Sequence, residues 1–397
     1  MNDLSRSGVS ARPVSGLSNR LAIHVATTSA AAVPLKAIEA AKLYLLDTLA
    51  VAWAGSDAPG CREAHSLLVE EGGRSDATAW AYGGRLPPPA AAFINGMSSA
   101  ALDYDALGCD SPVHVNVTVI PATLAVAERQ RASGLDFLTA LAIGSDVMCR
   151  MGASATHPHK GWSYTSVLGV FGAAAAASRL LRLDAVTTRH ALGIAFIQAG
   201  GTQQANIEPS LSKRMLSAFA ARSGVFAAQL AQKGITAPNE VIEGKFGLYR
   251  LYQDGEGTRL LDELGKRFDS VDLSIKKYPS CGCNHTSIEG TLHLVRQYNL
   301  EPDDVDSIEV LVTPYIYRIV GGPYDPSGDA QVAAQFNIRY SIACALVRRK
   351  LGLLEIQESS ARDPAIAAHI SKVSVKVDPS LTTERGPVVI RMHTKTH

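Results

Sequence analysis

Net charge is what this chain has least of: 38 basic residues stand against 37 acidic ones, a formal balance of +1. That balance supplies no electrostatic reason to expect nucleic acid or an anionic membrane as a partner. Long apolar runs are also missing. The stretch Val167 to Ala177 is too short to span a bilayer and is rich in glycine and alanine. Met1 to Pro13 is polar and lacks the apolar core of a secretory signal. Cysteine is sparse, with six in 397 residues. In a chain without an export signal they read as reduced thiols in the cytoplasm. No glycine-rich loop follows a strand in the manner of a phosphate cradle, so no nucleotide cofactor is indicated. Internal repeats and low-complexity tracts are absent as well.

What is present is enough apolar residue, 46% of the chain, to fill two sizeable cores. The first part is alanine-rich and periodic in the helical sense. Helices are expected over Pro34 to Trp53, Pro87 to Leu102, Pro121 to Ala132, Gly134 to Met151, Ser166 to Leu181, Ala185 to Ala199 and Lys213 to Lys233. Small residues on several faces, as in Phe171 to Ala177, let such helices approach closely. After Phe268 the period shortens. Val271 to Ile275, Ser307 to Val312, Val373 to Val377 and Val388 to Met392 read as strands. Thr286 to Gln297, Gln331 to Lys350 and Asp363 to His369 read as helices. The expectation is a mainly α protein. Residues 1–268 form a large all-α domain and 269–397 a smaller α+β domain with a mostly antiparallel sheet.

Four polar clusters stand out. The richest is Ile275 to His285, which gathers Lys276, Lys277, Tyr278, Cys281, Cys283 and His285 between a strand signal and a helix signal. It reads as a place for proton transfer, as a turn, or as a zinc clip. The zinc reading is disfavoured because Cys281, Cys283 and His285 lack a second ligand pair at familiar spacing. The second cluster runs from Asn95-Gly96 through Asp103-Tyr104-Asp105 to His114. Two aspartates at i, i+2 do not share a helix face, so they suit a helix end that turns a carboxylate into a cleft, or a solvated loop. The third, His157 to Ser166, places His159, Ser163 and Tyr164 before a helix. It reads either as a carboxylate-binding N-terminus or as a capping loop with Thr165 or Ser166 as N-cap. The spacing of His157 and His159 without acidic or sulfur partners is a poor metal site. The fourth is Ser210 to Arg214. With Ser212 as N-cap, Lys213 falls in a first turn where the dipole disfavours a cation. If partly buried, it is expected to have a lowered pKa and to serve as an acid–base or anion-binding group. Otherwise it is an exposed lysine.

In order along the chain, several segments resemble the MmgE/PrpD family. They are Leu46-Asp47-Thr48-Leu49-Ala50, Asn95-Gly96, Leu102 to Asp105, Thr165-Ser166 with Gly169 and Gly172 to Ala174, Ser212-Lys213-Arg214, Phe246 to Tyr249, and Lys276 to Cys281 with His285. The resemblance implies a helical domain capped by an α+β lid, usually as a homodimer. It implies a cleft between them that works without metal or organic cofactor on small di- or tricarboxylates, moving a proton beside a carboxylate. Carried over by motif, Asp103, His114, Lys213 and Lys276 are the site residues. The chain departs from the family pattern at Ala100, Ala106, Ser163 and Cys281, where relatives often carry histidines or a second acid. Tyr164, His159 and Cys281 are the replacement acid–base groups. The chain ends at His397, where relatives continue and return to the helical domain.

These readings converge on a cofactor-independent lyase or isomerase. Asp103, His114, Tyr164, Lys213 and Lys276 are its catalytic candidates, and His159, Ser163, Lys277 and Cys281 its substrate-binding ones. A non-catalytic, carboxylate-binding relative is the alternative.

Overall fold

The computed structural model describes residues 16–108, 113–156, 161–383 and 386–395. The alanine-rich part folds as packed helices, with Leu35–Gly55, Pro88–Ala100, Asn116–Gln130, Gly134–Ala153, Tyr164–Leu180, Ala185–Ile197 and Met215–Gln232 as its body. Local chemistry sets several of their starts. Pro88 sits in a first turn, where its missing N–H costs nothing. The side chains of Ser133 and Asp184 accept from the backbone N–H groups of Asp136 and Thr187 at 3.1 and 2.7 Å.

Small residues then let the helices close on one another. A Cβ on Gly144 would lie 2.7 Å from the carbonyl oxygen of Gly172, and one on Gly224 would lie 2.4 Å from Cβ of Ala173. The helix expected from Pro121 begins earlier, at Asn116, and Pro121 lies inside it. A proline cannot bond the carbonyl four residues back. That carbonyl, on Val117, faces Gly96 of a neighbouring helix, where a Cβ would come within 2.9 Å of it.

The later part is mixed. Strand Val305–Val312 pairs in parallel with Val373–Val377 and antiparallel with Val389–Thr394. The three remaining ladders are short and antiparallel. The fold is mainly α with small, mostly antiparallel sheets, as the residue periods predict. A second hydrophobic core lies under the three-stranded sheet and joins Val305, Ile308, Val310 and Val312 to Ile338, Ile342 and Leu346. Helix Gly282–Gln297 serves both cores: Val295 packs in the small one, and Ile288 and Leu292 in the large one.

Two further expected elements differ. The single helix over Gln331 to Lys350 is two, Ala330–Gln335 and Ile338–Arg348. Asn337 takes an extended conformation between them and caps the second, accepting from the N–H of Tyr340 at 3.0 Å. The strand over Val271 to Ile275 shrinks to Leu273–Ser274 after a 3-10 turn, and Ile275 is exposed. Its partner is Leu107–Gly108. This two-residue ladder ties the loop after Asp103 to the segment that leads into Lys276.

Candidate active site

Helix Pro88–Ala100 ends in a turn that places Asp103 in the left-handed region at φ 48°. Few residues other than glycine sit there, and aspartate is among those that tolerate it best. The turn buries the Asp103 side chain, and two ammonium groups meet it. Lys276 donates from Nζ to Asp103 Oδ2 at 2.7 Å and to the Asp103 carbonyl oxygen at 2.6 Å. Lys213 pairs with Oδ1 of the same carboxylate and lies 4.7 Å from the ring centroid of Phe336. The three residues are 110 and 173 positions apart in the chain. Burial works against the charged carboxylate of Asp103. The charges of Lys213 and Lys276, with His114 beyond them, outweigh it and hold the carboxyl well below its ordinary range. Lys276 shows the reciprocal effect. Its side chain has no exposure, yet Asp103 and Asp105 overcome the desolvation and push its pKa up.

A second pair stands beside the first. His114 Nδ1 and Asp105 Oδ2 are 2.6 Å apart, and the His114 backbone N–H donates to Thr165 Oγ1 at 2.9 Å. Burial raises the Asp105 carboxyl, but His114 and then Lys276 bring it down below the usual range. Such a carboxylate fixes the ring orientation of the histidine.

These groups line or floor one cleft enclosing about 940 Å³ of empty space, part of it open to solvent. Asp103, Asp105, His114, Lys213, Ser163, Tyr164 and Cys281 are on its wall, and Lys276 lies behind Asp103. Cys281 opens helix Gly282–Gln297. A hydrogen bond from Cys283 lowers the Cys281 thiol pKa against the opposing effect of burial, with help from Lys276.

Other expected groups are placed elsewhere. Lys277 is exposed and pairs with Glu289 at 2.9 Å, so the structure does not bring it to the cleft. His285 shares a hydrogen bond with the Ser280 carbonyl at 3.2 Å, and burial followed by the Lys276 charge lowers its pKa to about 4. Among the described residues no three His, Cys, Asp or Glu side chains are grouped to hold a metal ion. His157 and His159 lie outside the described residues. Ser212 does not cap a helix. Its hydroxyl meets Ser210 Oγ at 2.7 Å, and Lys213 sits in a 3-10 turn, Leu211–Arg214, ahead of helix Met215–Gln232. Neither Thr165 nor Ser166 is the N-cap of helix Tyr164–Leu180, a position taken by Ser163.

The sequence reading missed Gln335. Its backbone carbonyl oxygen accepts from Cys281 N at 2.9 Å, Ser280 Oγ at 3.0 Å and Asn284 Nδ2 at 3.2 Å, and its side-chain Nε2 donates to the Ala101 carbonyl at 3.1 Å. One buried glutamine thereby holds both the Cys281 turn and the Asp103 turn. Tyr315, Phe336, Gln203 and Asn206 also line the cleft without having been singled out. No chemical motif surrounds any of them. The one usable signal was the polar, buried-type pattern of Gln331 and Gln335 within an apolar helix.

The MmgE/PrpD N-terminal domain model matches residues 19–261, and the MmgE/PrpD C-terminal domain model matches 278–396. The chain belongs to the MmgE/PrpD family. A cis-aconitate decarboxylase-like protein of Aspergillus oryzae is 29% identical over 368 residues, which cover 86% of this chain and 76% of that protein. The cis-aconitate decarboxylase of Aspergillus terreus is 26% identical over 373 residues, 89% of this chain and 76% of its own length. The human cis-aconitate decarboxylase is 28% identical over 360 residues, 87% of this chain and 73% of its own. The relatives of this MmgE/PrpD member are thus carboxylate-acting lyases by name.

Proposed function

We propose that this chain is a cofactor-independent lyase that decarboxylates a small unsaturated tricarboxylate, with cis-aconitate as the first substrate to test. The observation that carries the reading is the juxtaposition of the Asp105–His114 pair with the Lys213–Asp103–Lys276 cluster in one cleft. In the step we assign, the bond to one carboxylate carbon breaks and carbon dioxide leaves. Its electron pair becomes a new double bond. The pair of the old double bond moves to the neighbouring carbon, which takes a proton from the protein. His114 is the assigned donor, with Asp105 holding its ring in place. Lys213 supplies positive charge beside the substrate carboxylates, and Tyr164 and Ser163 shape the wall they meet.

The test is turnover of cis-aconitate in deuterated water followed by NMR. Loss of carbon dioxide with one deuterium entering the product is the expected result. Hydro-lyase or epimerase chemistry is a second reading, and Ala100, Ser163 and Cys281, at places where relatives often carry histidines, tilt it toward the epimerase. Methylcitrate and aspartate-derived dicarboxylates test it, and exchange without net conversion would point to isomerisation. Binding without exchange for every compound would leave a non-catalytic carboxylate binder.

We further propose that the chain divides into a helical domain to residue 268 and a lid after it, and that it works in the cytoplasm as a homodimer through the helical part. No helix among the described residues is long and apolar enough to cross a membrane. Leu43, Leu46 and Trp53 on one helix, and Phe219 and Phe226 on another, are exposed, the kind of apolar surface that a second copy covers. Light scattering at micromolar concentration should report twice the 42.0 kDa chain mass. A monomer would contradict the dimer.

A further inference from the structure

The inner cleft has more cations than it has free positive charge. Lys213 and Lys276 both bond to the single carboxylate of Asp103, and His114 is held by Asp105. Two aspartates therefore offset two ammonium groups, and only protonation of His114 adds a net charge. A substrate with three carboxylates needs further positive charge close by.

A second chamber adjoins the first and shares Gln203, Asn206 and Ile319 with it as common wall. It encloses about 910 Å³ of empty space, part of it open to solvent, and adds Thr202, Gln204 and Arg318. Arg318 lies on helix Pro314–Val320, its guanidinium 5.2 Å from the ring centroid of Tyr315, and Tyr315 lines the inner cleft. Arg318 thus lines the outer chamber, next in sequence to Ile319 of the shared wall and one helical turn from Tyr315 of the inner cleft. Among the described residues lining either chamber, Arg318 is the cation with no carboxylate partner. A guanidinium is always charged and presents a planar fork suited to a carboxylate.

We propose that the outer chamber is a carboxylate-docking subsite, with Arg318 as its anchoring cation, and that it makes the site select tricarboxylates over dicarboxylates. The proposal rests on reading the inner cleft as a polycarboxylate site. Gln203 and Asn206, on the common wall, are the neutral donors that a carboxylate would meet on passing between chambers. Tyr315 holds the guanidinium over its ring face, which limits the rotamer entropy lost on binding.

The test compares binding of tricarballylate and glutarate, saturated tri- and dicarboxylates that cannot be decarboxylated by the step above. Calorimetry is run on wild type, Arg318→Gln and Arg318→Lys, with melting temperatures as a check on folding. Wild type should bind tricarballylate more tightly than glutarate. Arg318→Gln should weaken tricarballylate about tenfold, the loss of one good ion pair, and leave glutarate within about twofold. Arg318→Lys should recover part of the loss, since charge returns without the fork. Equal weakening of both ligands, or of neither, overturns the subsite. Cis-aconitate turnover by the same variants separates the two levels. Unchanged KM in Arg318→Gln with full wild-type activity refutes the subsite and leaves the lyase reading standing. A wild type that neither binds nor turns over any of these compounds refutes both.

Discussion

Lys213 and Lys276 share one carboxylate but stand in different surroundings, and their removal should have different consequences. Lys213 is on the cleft wall with some solvent access, and Asp103 keeps Lys276 if it is lost. Lys213→Met should lower turnover by roughly 10²–10³-fold, as for loss of one preorganised charge contact, while the melting temperature moves by only about 2–4 °C. Lys276 has no exposed side-chain surface and satisfies both a carboxylate oxygen and a carbonyl of Asp103. Lys276→Met leaves them without that donor and should cost about 3–5 kcal/mol of stability in denaturant unfolding. Asp47 behaves in the opposite sense to Asp103. Burial and then the Asp105 charge raise its carboxyl to about 6, against the pull of Lys276, and its Oδ2 has no hydrogen-bond partner among the described residues. A carboxyl raised in the fold binds more protons folded than unfolded. Its favourable contribution is complete below the unfolded value of 3.8 and is lost as pH rises through 6. Asp47→Asn removes that charging cost, so it should raise the melting temperature at pH 8 relative to wild type and do so much less at pH 4. An equal shift at both values would refute the assignment.

At the scale of elements, closeness between helices outweighs helix propensity. Gly224 lies within helix Met215–Gln232, where alanine would be the better helix former by up to about 1 kcal/mol. Its missing Cβ leaves room for helix Tyr164–Leu180, and an added one would lie 2.7 Å from the backbone nitrogen of Ala174 as well as against Ala173. Backbone cannot swing away as a flexible side chain can. Overpacking of this kind costs about 1–3 kcal/mol, so Gly224→Ala should be net destabilising in a denaturant titration. A stabilised variant would show that the two helices are less tightly seated. The same two helices carry Tyr164 and follow Lys213, so a loosened seam should also raise KM.

For the whole molecule, the connection out of the helical part is clamped by a buried ion pair. Arg150 and Asp146 have no exposed side-chain surface, and Arg150 Nε donates to Asp146 Oδ2 at 2.6 Å. The guanidinium also donates to the carbonyls of Asp262 at 2.5 Å and Arg267, while Asp146 Oδ1 accepts from Asp269 N at 2.6 Å. Residues 260–269 are thus pinned to helix Gly134–Ala153 just before the chain runs to Leu273–Ser274 and Lys276. Arg150→Met would leave Asp146 buried without its counter-ion and should cost about 3–5 kcal/mol. Because the clamp lies upstream of Lys276, hydrogen exchange should quicken in residues 260–276 before it does in the sheet. Uniform acceleration across the chain would argue against a local clamp.

The sequence alone determined the helical body, the change of period after Phe268 and the family. These rest on local repeats of 3.6 and 2 residues and on short motifs in a set order, which require no knowledge of distant contacts. It also supplied Asp103, His114, Lys213 and Lys276 by motif. Tertiary structure decided what a linear pattern does not encode. Asp103 meets two lysines because a left-handed turn, a 3-10 turn and a two-residue ladder bring together positions far apart in the chain. Lys277, next to Lys276 in sequence, points to Glu289 instead. Asp105 and Gln335 acquire their parts only from partners contributed by other segments of the chain. Hydrogen bonds, ion pairs and chamber walls act over a few ångströms of space whatever the distance along the chain, and folding chooses which residues share those few ångströms.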